Sequence, residues 1–195
     1  MLKSLSLLLA AALLSGCAGM NRLSSDVSSF GSWASGRKPA SFTYERLPSQ
    51  QQLPERQQRL EDAARPALES AGFRQVADGA TSDYTVQLGA MISTDERYLY
   101  DSFGVRGFGR YPRFGHGWGY GRFGPGPFAS PVFEREVLVL IRDRRTGQTV
   151  YETRASNSGH SSALDGVLPA MFEAAMKDFP SSGVNPRRVV TQIGS

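Results

Sequence analysis

One cysteine, two histidines and no Gly-x-Ser-x-Gly run, in a chain of 195 residues, leave most site chemistry without its raw materials. With Cys17 as the lone thiol there is no disulfide framework and no thiolate zinc site. His116 and His160 stand at neither helical nor turn spacing, so no metal pair is predicted. A triad drawn from Ser161 or Ser162, His160 and Asp165 lacks the strained elbow and oxyanion hole that activate a serine. These residues read more simply as a helix entry, with Ser162 as cap. The glycines of "GVRGFG", at 104, 107 and 109, reverse the order of a dinucleotide fingerprint and precede no helix, so no pyrophosphate cradle follows. No catalytic residue, metal or cofactor is predicted. A long hydrophobic run is missing too: the apolar stretch from Leu5 to Leu14 is half of the roughly 20 residues needed to cross a bilayer.

What that stretch does supply is an address. One lysine, a short apolar core and small residues make residues 1–16 a secretion signal. Leu14-Ser15-Gly16-Cys17 resembles the lipobox of bacterial lipoproteins, in which cleavage precedes a cysteine that becomes lipidated. Each buried acyl methylene contributes about 0.8 kcal/mol, so a multiply acylated Cys17 anchors the chain unaided. Ala18 stands where an aspartate would retain a Gram-negative lipoprotein at the inner membrane, and the resemblance therefore implies the periplasmic face of the outer membrane. Residues 17–40, rich in serine and glycine, read as a lipidated N-terminus and flexible tether, leaving 41–195 as a single periplasmic domain. The net charge of +4, one unit of which leaves with Lys3, is carried mostly by arginine, which suits phosphate and carboxylate partners.

The periodicity predicts an α+β fold. "SFTYERL" from Ser41 alternates as a half-buried strand; Leu60, Ala64, Ala67, Leu68 and Ala71 then share a helical face, kinked by Pro66 and ended by Gly72. "DYTVQLGAMI" returns as a strand parallel to the first, joined by the helix crossover. "FEREVLVLIRD" and "QTVYETRAS" form a hairpin around Arg144–Gly147, and a helix through Leu168, Met171, Phe172 and Ala175 is stopped by Pro180. "RRVVTQI" reads as a short edge strand. The expectation is a small mixed sheet in β-α-β-β-β-α order, with two helices on one face and a long glycine and aromatic loop insertion.

On "SFTYERL", "LESAGF", "SDYTVQLGA" and "VLVLIRDRRTGQTVYETRAS", the chain resembles the bacterial lipoproteins built around the DUF4136 domain, over residues 41 to 180. It departs from the family pattern at Tyr151, where a tryptophan is usual. The resemblance implies a mixed sheet similar to that of the N-terminal domain of TolB, and no active site is known for the family.

The insertion at 101–130 places Arg110, Arg113 and Arg122 among rings that include Trp118 and Tyr120. Interleaved arginines and aromatics suit nucleic acid, but an envelope address argues against that partner. Two readings stand: a soft insertion between strands, or a contact surface for membrane, cell wall or an envelope protein, since arginine and aromatic side chains dominate interface hot spots. The functional expectation is an outer-membrane-anchored lipoprotein that is not an enzyme and has a structural or interaction role. Its contacts would be the membrane through the lipid on Cys17, lipid headgroups, cell wall or an envelope protein. The alternative is a cell-envelope hydrolase with a concealed site.

Overall fold

A computed structural model describes residues 21–94 and 132–194. The elements in chain order are β1 (Arg22–Gly31), β2 (Ser41–Tyr44), α1 (Pro48–Gln51), α2 (Pro54–Ser70), β3 (Arg74–Gln75), β4 (Tyr84–Thr94), β5 (Phe133–Asp143), β6 (Thr149–Gly159), α3 (Leu168–Met176) and β7 (Arg187–Gln192). The strands form one mixed seven-stranded sheet in the order β3-β2-β4-β5-β6-β1-β7. β2 runs parallel to both β3 and β4, and every other pairing is antiparallel. The expected crossover from β2 through a helix to β4 and the β5–β6 hairpin are both present. The expected element order omitted β1, α1, the two-residue β3 and β7, the last of which was read separately as a short edge strand.

The largest correction concerns the supposed tether over 17–40. Arg22–Gly31 is a strand held between β6 and β7, so the domain starts about twenty residues before Ser41. Its inward positions are Leu23, Ser25, Val27 and Ser29, all buried. Two of the four are serines, and that is why the segment carries so little hydrophobic signal. Their small size has a structural use: α3 brings Ala170, Ala174 and Ala175 close to the sheet. Ser25 Oγ is buried without a hydrogen-bond partner, whereas the other hydroxyls of this interface are bonded. Ser29 Oγ and Thr153 Oγ1 lie 3.1 Å apart, Thr153 Oγ1 donates to Ala175 O at 2.9 Å, and Thr191 Oγ1 donates to Ala170 O at 2.9 Å. A buried hydroxyl left unpaired would cost about 1–3 kcal/mol, so these bonds are needed to make a hydroxyl-rich interface tolerable.

From the rest of the supposed tether, much of it exposed, Trp33 and Ala40 pack half-buried against the core. Trp33 packs against Phe179, Tyr84 and Phe73 at ring-centroid distances of 4.7, 5.3 and 5.7 Å, and its indole N–H donates to Arg37 O at 2.9 Å. Arg37 lies over the Tyr84 ring at 4.8 Å and pairs with Asp143 at 2.5 Å, tying the segment to the base of the β5–β6 turn. Around this knot the core buries Phe42, Leu68, Tyr84, Val86, Val139, Tyr151 and Phe172. Each such side chain contributes about 1.5–3 kcal/mol on burial.

The last helix starts later than its sequence suggests. Leu168 is its first residue and Val167 its N-cap, with Pro169 in the opening turn, so Ser162 is not the cap. Proline fits there because the first helical N–H groups have no intrahelical partner to lose. Pro66 lies inside α2, as expected, and Gly72 takes a positive φ just beyond the helix end.

Candidate functional site: a cleft at one end of the sheet

β4 ends at Thr94 opposite Phe133, β6 ends at Gly159 opposite the same residue, and β1 begins at Arg22 opposite Gln192. These termini therefore share one end of the sheet, with the Arg144–Gly147 turn at the other. At the first end a cleft of about 430 Å³ opens between α1, the N-terminal half of α2, the end of β4 and the segment leading into α3. Its apolar walls come from Leu53, Leu60, Ala90, Ile92, Leu164 and Leu168; Arg56, Arg59 and Asp165 also line it. Volume and lining match the usual small-molecule site, roughly 300–1,000 Å³ and mostly apolar.

Two glutamines fix the helical wall. Gln50 donates from Nε2 to Leu88 O at 2.8 Å and accepts from the Leu47 N–H at 2.8 Å, pinning α1 to β4. Gln57 Nε2 donates to Glu61 Oε1 at 2.9 Å. Glu61 is buried and takes a two-pronged ion pair from Arg46, at 2.6 and 2.7 Å; Arg46 reaches Asp78 as well, at 2.6 Å. The Glu61 carboxylate holds the Arg46 guanidinium above its ordinary range. Burial pushes the Tyr44 phenol up, and its O–H donates to Glu61 O at 3.1 Å. These groups satisfy one another and form a rigid support behind the cleft.

Arg135 is different. It sits on the inward side of β5, 5% exposed, as the register partner of Ile92. Nη1 reaches Ala163 O at 3.5 Å, and Nε has no hydrogen-bond partner. A Cβ on Gly159 would stand 2.2 Å from Nη2, the far end of the side chain, so the guanidinium lies close against the backbone at that point. Among the described residues no carboxylate pairs with Arg135. Burial lowers the affinity of its guanidinium for its proton.

The expected contact residues Arg110, Arg113, Trp118, Tyr120 and Arg122, the rest of loop 101–130, and the lipid site Cys17 all lie outside the described residues. Ser162 and Asp165 line the cleft, His160 is exposed nearby, and Ser161 Oγ accepts from the Ala163 N–H at 3.1 Å. Among the described residues no three His, Cys, Asp or Glu side chains converge as a metal site, and no helix is long and apolar enough to cross a membrane. The reading of the sequence missed Gln50, Leu53, Ile92 and Arg135. A signal for the last was available: in "FEREVLVLIRD" Arg135 shares its face with Val137, Val139 and Ile141, a charge on the core side of an alternating strand.

The chain belongs to the DUF4136 family, a domain of unknown function, whose model matches residues 26–181. That match begins inside β1, fifteen residues before the expected boundary at 41. Comparison with curated proteins finds no match. Among solved structures, the chain is similar to a PDZ domain protein from Parabacteroides distasonis ATCC 8503, at 13% identity and a TM-score of 0.53. The likeness covers 94% of this chain and 42% of that one, so the chain spans about two-fifths of that protein's length. A PelC dodecamer from Paraburkholderia phytofirmans matches at 12% identity and a TM-score of 0.44, covering 77% of this chain and 95% of that one. At 13% identity the first likeness supports the fold alone.

Proposed function

We propose that this protein is a lipoprotein of the outer membrane, anchored through Cys17 on the periplasmic side, whose domain works by binding rather than by catalysis. The single observation that carries the reading is the cleft at the sheet end where β1 begins: an apolar floor, an arginine rim and a rigid polar support. The finer architecture is part of the proposal. We take α2 and α3 to cover the same face of the sheet, because Tyr44 reaches back to α2 while Thr153 and Thr191 reach to α3, and the two helices touch.

β1 shortens the leash. Five Cα–Cα steps separate Cys17 from Arg22, a reach of at most about 18 Å even when fully extended. A lipid on Cys17 would therefore hold the Arg22 end of the sheet against the bilayer, and the cleft with it. A tether running to residue 40 would have let the domain drift well clear of the surface.

The test places a photo-crosslinking side chain at Leu53, on the cleft rim, or at the exposed Val184 far from it, in intact cells. Adducts at Leu53, absent at Val184 and lost with Cys17→Ala, are the expected outcome. Identical adducts at both positions, or a Cys17→Ala protein that fractionates with membranes as before, would contradict the reading.

A further inference from the structure

The cleft is apolar inside and ends beside a buried cation that stands behind its wall rather than in its lining, and this restricts what it can hold. Leu60, Ala90 and Leu168 line its inner part. Toward the end of the sheet the wall becomes Ile92 and Ala163, and these are the two residues that touch or pair with Arg135. A guanidinium with one long bond to a carbonyl, an unpartnered Nε and no carboxylate partner among the described residues is costly to bury. Taking a charge out of water costs several kcal/mol unless it is paired. Gly159 lies close against Nη2, the tip of that side chain. The rim adds the exposed cation Arg59 against one exposed carboxylate, Asp165.

We infer that the cleft is a binding site for an anionic single-chain amphiphile of the membrane: the alkyl chain lies along Leu60, Ala90 and Leu168, and a phosphate or carboxylate head pairs with Arg135. A planar guanidinium offers two parallel N–H donors to such a head, which a neutral alcohol could not exploit. The inference rests on the cleft being the contact site and adds the class of ligand. Its orientation agrees with the short leash, which would put Arg135 at the bilayer end and the apolar part away from it.

The probe is dodecyl phosphate, below its micelle concentration, titrated calorimetrically into the full chain carrying Cys17→Ala, which needs no detergent. Dodecanol supplies the chain without the charge, and inorganic phosphate the charge without the chain. We expect saturable binding of one dodecyl phosphate per chain, dodecanol at least tenfold weaker, and no binding of inorganic phosphate at the same concentrations. Arg135→Gln should bring dodecyl phosphate down to the level of dodecanol. Leu53→Glu, at a half-exposed position on the rim, should weaken dodecyl phosphate at least tenfold, so the test survives if the buried variant does not fold. Equal binding of the alcohol and the phosphate, indifference to Leu53→Glu, or no saturable binding would overturn the inference. A chain whose Leu53 adducts in cells depend on Cys17 but which ignores dodecyl phosphate keeps the proposed function and loses this ligand.

Discussion

Asp143 shows how much one side chain carries. Its Oδ2 pairs with Arg37 at 2.5 Å, and its Oδ1 accepts the backbone N–H groups of Arg145 and Thr146 at 2.9 and 3.0 Å. One carboxylate thus shapes the β5–β6 turn and fastens the chain between β1 and β2 to it. The Arg37 hydrogen bond, followed by the Thr146 amide, lowers its pKa to about 2. A depressed carboxylate stabilises the fold fully above its unfolded pKa, roughly 3.9, and loses that contribution as pH falls through the folded value. Asp143→Asn should therefore lower the urea midpoint at pH 7, and its gap from the parent protein should close between pH 4 and pH 2. A gap of constant size across that window would mean that charge is not what holds the turn. None of this could be read in the sequence, where Asp143 is one more residue of a hairpin tip and Arg37 lies in a stretch that looks like linker. A long-range ion pair leaves no local pattern.

At the scale of elements, legibility followed the strength of alternation. β4 and β5 carry inward rows that include Val86, Leu88 and Ile92 and Val137, Val139 and Ile141, β6 alternates through Tyr151, Thr153 and Ala155, and α2 and α3 carry helical rows rich in Leu and Ala; all five could be placed from pattern alone. β1 could not, because Ser25 and Ser29 occupy inward positions opposite the small residues of α3, and packing with hydroxyls reads as polar in any hydropathy window. β3 has only two residues, below the length at which a period exists. The cleft escaped for a related reason: its walls come from three segments distant in sequence, and only the misplaced charge of Arg135, just behind one wall, hinted at it. β1 can be tested directly. A Cβ at Gly31 would lie 2.5 Å from Val150 O and 3.0 Å from Tyr151 Cα, both backbone atoms of β6 that cannot step aside without parting the strands. Gly31→Ala should cost about 2 kcal/mol in equilibrium unfolding, in line with overpacked sites. A neutral result would return the segment to the status of a tether.

For the whole molecule, the decisive feature is where the sheet's ends lie relative to the proposed anchor at Cys17. An eleven-residue strand such as β5 spans about 35 Å, so the Arg22 end and the Arg144–Gly147 turn are separated by more than the roughly 18 Å that Cys17 to Arg22 can reach. A domain held by a lipid on Cys17 would have a near end and a far end. The cleft, Arg135 and the root of the glycine and aromatic insertion all belong to the near end, between Thr94 and Phe133. The direct measurement is fluorescence quenching by nitroxide-labelled lipids, with the lipidated full chain in vesicles and a single reporter thiol introduced as His160→Cys at the near end or Thr146→Cys at the far one. Strong quenching at position 160 with little at 146 is the predicted result. Equal quenching at the two positions would contradict a domain held by its first strand against the bilayer.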